Sequence, residues 1–337
     1  MLIIHAPNVH TGGGKVLLLN LLASIQPGQP CHAIIDNRLI IPSTSPSHID
    51  YYRIQPSLFR RYKAEILLRT LSNNARTVLC FGNLPPIFSL KIKTVLFLQN
   101  RYLVENLSKE DFSWKIRLRL WLEKKWFILR SSNVDEIIVQ TRSMSNLVKN
   151  TINRPSTIMP ILDFPSLKGI NKYKDKKYDF IYVSSGEPHK NHKNLIEAWG
   201  LLAKHDCTPN LCITINHERY PELFNFISKM IIQYGLNITN VEDVPHKELF
   251  QLYECSGCLI FPSYCESFGL PLIEADHMGL PVIASEEDYV RDLLEPVETF
   301  NPASPISIAR AVNRFMSIDR KLDTIKSSDD LVDYLIK

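Results

Sequence analysis

The feature that most constrains the fold is an alternation of short apolar runs with helix-length amphipathic segments. It occurs twice along the 337-residue chain, starting at Leu2–Ala6 and again at Phe180–Val183. Short apolar strands separated by crossover helices are typical of parallel sheets covered on both faces. The sequence therefore predicts an α/β protein with two Rossmann-like, doubly wound domains, each built on its own sheet.

The alternation breaks between residues 160 and 177, where prolines and a glycine precede the polar run Lys172–Lys177. Such a segment is typical of a domain linker. We expect an N-terminal domain at 1–165, a second domain at 166–316 and an acidic tail at 317–337. Ligands of open α/β sheets bind at the carboxyl ends of the strands, so we expect a site in the cleft between the two domains.

Composition excludes several classes of protein. With 45% hydrophobic and 22% charged residues, the chain has enough apolar material for two cores, unlike disordered or low-complexity sequences. It contains no membrane span of roughly 18 uncharged apolar residues, and its opening apolar run is too short for a secretory signal. The seven cysteines are an odd number scattered through apolar stretches. We expect them to be reduced, as in a cytoplasmic protein.

Charge is distributed unevenly. Residues 1–165 carry a balance of +11 and residues 166–337 a balance of −7. The basic half suits an anionic partner, although solvated faces that simply differ are an alternative. Segment 113–130 holds six Lys and Arg, one Glu and three of the four tryptophans, a composition typical of an interfacial membrane helix. The alternative is a surface helix that packs Trp121 and Leu122 into the domain.

Residues 261–285 form the most informative stretch. It predicts a buried strand, a loop that contains Glu266, a helix with Pro271 at its first position and Glu274 in its first turn, and a second buried strand. Free amides at the start of such a helix favour a phosphate. A carboxylate on each side of a diphosphate suits a sugar and a ribose, because each can accept two hydroxyl hydrogen bonds. Alternatively, Glu274 is only a stabilising charge at a helix N-terminus.

This stretch resembles the signature of family 4 of the retaining nucleotide-sugar glycosyltransferases, which have the GT-B fold. The shared pattern is Pro-Ser, two residues, Glu, Phe-Gly-Leu-Pro, a second Glu with seven residues intervening, and Gly-x-Pro-Val-Ile-Ala. The resemblance implies that Glu266, as the catalytic residue, contacts the donor sugar near the reacting carbon and that Glu274 binds the ribose diol. It also assigns donor binding to the start of the helix, at Ser267, Phe268, Gly269 and Leu270.

The resemblance extends to the loop after the first strand of the second domain. Family members often hold the donor diphosphate there with an Arg and a Lys. Lys190 stands at the Lys position, whereas Ser185 stands at the Arg position. The missing charge has three candidate replacements nearby, His189, His192 and Lys193, and the alternative for each is that it belongs to a solvated loop.

Two segments of the N-terminal half complete the expected donor site. The glycine run in Asn8–Lys15 matches neither a P-loop nor a dinucleotide fingerprint. By resemblance, Gly13 and Gly14 face the donor phosphate across the cleft. After the run Val95–Leu98, Gln99 replaces a His that family members frequently carry, and it is a possible sugar contact.

We expect neither a metal nor a cofactor. Cys255 and Cys258 have metal-ligand spacing but no second pair, and the chain contains no Asp-x-Asp. In the GT-B class, amides, a helix dipole and basic side chains neutralise the diphosphate. The nucleoside diphosphate sugar is a substrate rather than a cofactor.

These features together predict a retaining glycosyltransferase that moves a sugar from a nucleoside diphosphate sugar to a hydroxyl acceptor. The expected acceptor is a lipid-diphosphate-linked or polysaccharide glycan of bacterial surface polysaccharide synthesis. We expect a cytoplasmic protein that binds peripherally to the inner face of the cell membrane through residues 113–130. We expect no nucleic acid as partner. Two alternatives remain: a same-fold nucleotide-sugar epimerase or hydrolase, and a non-catalytic basic protein that binds RNA or a glycan.

Overall fold

The computed structural model describes residues 1–42, 45–107, 112–162 and 176–316. The expected domain boundary at 165/166 and the expected tail at 317–337 lie outside these residues. Within them the chain forms two sheets in which every strand pairs with its neighbours in parallel. Both the α/β class and the presence of two sheets are as predicted.

The first sheet has seven strands among the described residues, in the order β3-β2-β1-β4-β5-β6-β7. Four longer helices connect them. The elements are β1 Leu2–Ala6, α1 Gly12–Ala23, β2 Cys31–Asp36, β3 Ile49–Ile54, α2 Leu58–Ser72, β4 Thr77–Cys80, β5 Lys93–Phe97, α3 Trp114–Arg130, β6 Glu136–Val139, α4 Arg142–Ile152 and β7 Thr157–Ile158.

The second sheet has six strands in the described part of the chain, in the order β10-β9-β8-β11-β12-β13. Its elements are β8 Tyr178–Tyr182, α5 His192–Ala203, β9 Leu211–Ile213, α6 Pro221–Tyr234, β10 Ile238–Asn240, α7 His246–Glu254, β11 Ser256–Phe261, α8 Leu270–His277, β12 Val282–Ser285, α9 Asp288–Arg291, β13 Glu298–Phe300 and α10 Pro305–Phe315.

Helices cover both faces of the first sheet. Successive side chains of a strand point to opposite faces, and in β1 Ile3 packs into the cluster that contains Phe127 of α3. Its neighbour Ile4 packs into a separate cluster with Leu18 of α1. The second sheet has one continuous core around Trp199 of α5. The near-unbroken apolar runs of the central strands follow from burial on two sides.

Three strands were not expected from the sequence: β3, β10 and β13. All three lie at an edge of their sheet. Helix α1 begins at Gly12, so the glycine run forms the first turn of this helix.

The strand order reverses between β1 and β4 in the first sheet and between β8 and β11 in the second. Ligands of doubly wound sheets bind at this reversal, because the flanking connections leave on opposite faces and open a crevice. The two units also touch each other. The amide of Ser143, in α4, donates to Oδ2 of Asp292 at 2.7 Å, and Arg101 donates to the carbonyl of Glu266 at 3.2 Å.

Candidate functional site

Lys190 and Glu266 meet at the reversal point of the second sheet. Lys190 lies in the loop after β8 and Glu266 in the loop after β11, the two adjacent central strands. Nζ of Lys190 is 2.7 Å from Oε1 of Glu266, and the two side chains are only 17% and 11% exposed. The two residues predicted to serve the donor diphosphate and the donor sugar therefore form one ion pair.

Buried hydrogen bonds hold these two loops together. The Tyr182 hydroxyl donates to the carbonyl of Lys190 at 2.7 Å and lies 3.2 Å from the Ser263 hydroxyl. The amide of Tyr264 donates to the carbonyl of His189 at 2.9 Å. The Asn191 side chain donates to the carbonyl of Pro262 at 3.0 Å. The ion pair is thus carried by loops whose backbones are fixed to each other.

The helix after Glu266 starts four residues further on, at Leu270. Gly269 is its N-cap, with a φ of 80° that favours glycine, and no side chain caps the helix. The unsatisfied N–H groups and the dipole of such a terminus attract an anion. Phe268 is buried, so its side chain packs inward and it offers a ligand only its backbone. Ser267 and Leu270 are partly exposed beside it.

The start of α1 faces the start of α8. Gly12 has a φ of 66°, and Thr11 at the N-cap makes no side-chain capping bond. A Cβ placed on Gly13 would lie 2.8 Å from Cδ1 of Leu270, so the backbone of α1 comes close to α8 because Gly13 has no side chain. Two uncapped helix N-termini therefore converge in the cleft, one from each sheet.

Two residues that follow β5, Gln99 and Arg101, lie next to the first turn of α1 and the Glu266 loop respectively. A Cβ on Gly14 would lie 3.4 Å from Oε1 of Gln99, which puts the Gln99 side chain against the first turn of α1. Arg101, in the turn after β5, donates to the Glu266 carbonyl and pairs with Glu105. The contact of Arg101 with the Glu266 loop was not foreseen, because its partner lies 165 residues away in the chain.

Glu274 lies deeper than expected. It is the fifth residue of α8, which begins at Leu270, so the prediction that placed it in the first turn is wrong. A dipole interaction falls off beyond the first turn, which weakens the alternative of a simple helix-end charge. Glu274 is 2% exposed, and it accepts hydrogen bonds from His246 at 2.7 Å and from Tyr253 at 2.9 Å.

The loop around Ser185 contains a carboxylate and lies next to an arginine. The hydroxyls of Ser185 and Tyr220 both donate to Glu187, and these bonds outweigh the effect of burial, so the pKa of Glu187 is lowered. Nη2 of Arg219 lies 3.5 Å from Oε1 of Glu187. Arg219 thus brings a cation to this loop from the connection after β9, a position that no motif in the sequence marks.

The two nearby histidines add no positive charge. Burial and the neighbouring Lys190 lower the pKa of His192 to about 3, and the same two causes lower the pKa of His189. Lys193 is exposed on the first turn of α5. Among the described residues, no group of three or more His, Cys, Asp or Glu side chains is arranged to hold a metal ion.

Comparison with known proteins gives a family and a fold. The model of the family described as "Glycosyl transferases group 1" matches residues 163–330, about half of the chain. A serotype-specific mannosyltransferase of Escherichia coli is 26% identical over 199 residues, which are 57% of this chain and 24% of that protein. An O-antigen chain mannosyltransferase of Salmonella typhimurium is 22% identical over 272 residues, 78% of this chain and 70% of that one.

The chain thus spans about a quarter of the length of the Escherichia coli relative. Among solved structures, the Anabaena protein HepE in complex with UDP-glucose superimposes with a TM-score of 0.68 at 14% identity, covering 94% of this chain and 90% of that one. That similarity extends over both sheets and shows the fold. Since the family match covers the loops that bring Lys190 and Glu266 together, the chain belongs to the group 1 glycosyltransferase family and has the GT-B fold.

Proposed function

We propose that this protein is a retaining glycosyltransferase that uses a nucleoside diphosphate sugar. The observation that carries the proposal is the Lys190–Glu266 pair, with Glu266 four residues before the uncapped start of α8, which lies against the uncapped start of α1. A cation and two helix dipoles suit a diphosphate, and the adjacent carboxylate suits sugar hydroxyls. In this proposal, residues 166–316 bind the donor and residues 1–165 bind the acceptor.

The chemistry follows from that arrangement. The bond between the anomeric carbon and the phosphate oxygen breaks while the acceptor oxygen bonds to the same face of the sugar. Charge grows on the departing diphosphate, where Lys190 and the helix amides stabilise it. The acceptor proton passes to the leaving phosphate oxygen, so we assign no protein base. Glu266 holds the sugar hydroxyls near the reacting carbon, and positioning supplies much of the rate.

The experiment is a donor screen with the purified full chain. Nucleotide-linked mannose comes first, because the Escherichia coli and Salmonella relatives described above are mannosyltransferases by name, followed by UDP-glucose and other common donors. Calorimetry measures nucleotide binding, and NMR of the product reports the anomeric configuration. We expect one donor to bind and react with retention, and the reaction to persist in excess chelator. Inversion, or a strict need for a divalent metal, would contradict the proposal.

The rival functions give different results in the same screen. An epimerase converts the donor sugar without any acceptor, and a hydrolase releases it to water. A non-catalytic RNA-binding protein binds structured RNA, and calorimetry detects no binding of any nucleotide sugar. A carboxylate beside a cation suits a nucleotide sugar better than RNA, and the match to a glycosyl transferase family favours transfer over epimerisation or hydrolysis.

For the acceptor, we propose a glycan on a lipid diphosphate in bacterial surface polysaccharide synthesis. The names of the Salmonella and Escherichia coli relatives, which concern O-antigen and serotype, support this class. A lipid-linked acceptor requires the enzyme to work at a membrane surface. We therefore place it peripherally on the inner face of the cell membrane. No helix in the described segments is both long and apolar enough to cross a bilayer.

Helix α3 supports membrane contact through its outward face. Leu120 and Phe127 are buried toward the domain, whereas Trp121 and Leu122 are 54% and 53% exposed. The alternative that these two residues pack into the domain is therefore wrong. Exposed apolar side chains recur at helical spacing along the whole helix, at Trp114, Leu118, Trp121, Leu122, Ile128 and Leu129. Exposed basic side chains accompany them at Lys115, Arg117, Arg119, Lys125 and Arg130.

Helix α2 extends the same surface. Arg61 of α2 stacks on the Trp126 ring at 5.5 Å, which places the two helices side by side. The exposed apolar residues of α2 are Phe59, Tyr62 and Ile66, with the exposed basic residues Arg60, Lys63 and Arg69 around them. A basic, aromatic-rich surface on two adjacent helices fits an anionic lipid surface, where apolar insertion and charge attraction act together.

A further inference from the structure

The carboxylate of Glu274 is held by one helix. Nε2 of His246 lies 2.7 Å from its Oε1, and the Tyr253 hydroxyl donates to its Oε2 at 2.9 Å. Both partners belong to α7, where they are seven residues apart. Residues at this spacing lie on the same face of a helix, so α7 presents both groups to Glu274 together. Each carboxylate oxygen thus has its own partner.

The ring of Phe250 supports this arrangement. It makes T-shaped contacts with the His246 ring, at a centroid distance of 5.5 Å, and with the Tyr253 ring, at a centroid distance of 6.1 Å. Phe250 is itself 5% exposed, so the core fixes its position. Packing on both sides of Phe250 restricts the rotation of both rings. The orientation of the Glu274 carboxylate is therefore set by a rigid pair of groups rather than by solvent.

Such a buried carboxylate is costly for a merely structural role, because desolvating a charge opposes folding unless its partners compensate. Each carboxylate oxygen can accept two hydrogen bonds, and α7 occupies one on each. One acceptor position therefore remains on each oxygen. Two neighbouring hydroxyls, as in a ribose diol, match two such positions. His246 is 28% exposed, whereas Tyr253 is 1% exposed, so a ligand approaches from the side of His246.

We infer that His246 and Tyr253 are positioning residues that orient Glu274 toward the ribose diol of the donor nucleotide. Through that orientation they set the preference for ribonucleotides over deoxyribonucleotides. The inference rests on the proposed function, since it presumes that a nucleotide binds beside α8. The role of these two residues on α7 is measured as the ratio of the affinities for ribonucleotides and deoxyribonucleotides, and not as enzymatic activity.

The test measures calorimetric affinities for UDP and GDP and for their 2′-deoxy and 3′-deoxy counterparts, with the full chain. For the native protein we expect the ribonucleotide to bind on the order of tenfold to a hundredfold more tightly, the scale of a hydrogen bond to a charged group. In Tyr253→Phe and His246→Ala the ratio falls to within about threefold of unity, because a freely rotating carboxylate no longer matches the diol. His246→Gln restores part of the ratio, since its amide keeps an N–H donor.

Two matched variants control for general effects. Tyr178→Phe removes the hydroxyl of a buried tyrosine on β8, and His205→Ala removes an exposed histidine beyond the end of α5. Both should keep the native ratio. Equal loss for ribo and deoxy ligands in the α7 variants would overturn the inference and leave the proposed function standing. A native protein that binds nucleotides without discrimination would overturn it as well. Failure to bind any nucleotide would instead overturn the proposed function together with it.

Discussion

Nζ of Lys190 lies 2.7 Å from Oε1 of Glu266, in a site where both side chains are largely shielded from water. In the proposed site, the cation assigned to the diphosphate is thus paired with the carboxylate assigned to the sugar. A charge-assisted pair of this kind holds each side chain in place. Removing one partner leaves the other shielded and unpaired, so the two residues have distinguishable effects on binding and on turnover.

Replacing Lys190 with Ala should weaken binding of the nucleoside diphosphate far more than binding of the monophosphate. In the proposed site only the diphosphate extends to this loop, and loss of a charged hydrogen bond costs about 1.5–3 kcal/mol. Calorimetry with both ligands measures the difference. Lys193→Ala, which removes an exposed lysine three residues further on, is the matched control and should change neither affinity. Equal losses for the two ligands would place Lys190 away from the second phosphate.

Replacing Glu266 with Gln should lower turnover while the affinity for free nucleoside diphosphate stays nearly unchanged. The proposed contact of Glu266 is with the sugar, which free nucleoside diphosphate does not carry. Glu274→Ala should instead weaken nucleotide binding by roughly 1.5–3 kcal/mol, because its contact is with the ribose. Product formation and calorimetry separate the two effects. If Glu266→Gln abolished nucleotide binding and Glu274→Ala did not, the two assignments would be reversed.

The full chain should sediment with anionic vesicles at low salt and much less at high salt, since salt shortens the range of charge attraction. At about 1 kcal/mol per basic residue near the surface, four engaged residues supply roughly 4 kcal/mol. Lys115→Glu/Lys125→Glu should abolish this binding, because both side chains are exposed on α3. Lys124 is a poorer choice, since its ammonium donates to the Glu105 carbonyl and to Asn106.

The control for charge alone is Lys204→Glu/Lys229→Glu, which reverses two exposed lysines of the second sheet's helices. It should sediment like the native chain. Trp121→Ala should weaken binding even at low salt, because it removes apolar insertion rather than charge. Sedimentation that is independent of lipid charge, salt and all these substitutions would exclude the membrane surface and favour a soluble acceptor.

The buried His192 should make stability depend on pH. Burial, with Lys190 beside it, lowers its pKa to about 3, whereas in the unfolded chain it returns to about 6.5. Below the unfolded value the unfolded chain binds the proton and the folded chain does not. The free energy of unfolding therefore falls as the pH falls from 6.5 toward 3.

Between pH 7.5 and pH 5 this one residue should account for about 2 kcal/mol of lost stability, at about 1.4 kcal/mol per pH unit below 6.5. Urea titrations of the native chain and of His192→Gln at both pH values measure it. On acidification, the free energy of unfolding of the glutamine variant should fall by about 2 kcal/mol less than that of the native chain. His205→Gln, which changes an exposed histidine, should behave like the native chain. The same acid sensitivity in all three proteins would contradict the assignment.

The sequence by itself determined the central strands, most of the helices and the residues of the donor motif. Central parallel strands such as β1 and β12 are covered on both faces, so they are mostly apolar, with one polar residue each (His5 and Ser285), and stand out from their surroundings. Edge strands are not under that constraint. β3 contains Asp50 and Arg53, and β10 and β13 have only three residues each, so no pattern distinguished them from loops.

Only the tertiary structure decided which side chains meet. Lys190 and Glu266 are 76 residues apart, and Arg101 lies 165 residues from the carbonyl it contacts. Glu274 was recognised from its motif, but its partners on α7 were not, because a helical pattern encodes which face is buried and not what lies against it. The order of the strands brings the loops after β8 and β11 together at the carboxyl ends of the second sheet, and contact between the two units brings Arg101 to them. A one-dimensional pattern records burial, whereas a pairwise contact depends on how whole elements pack.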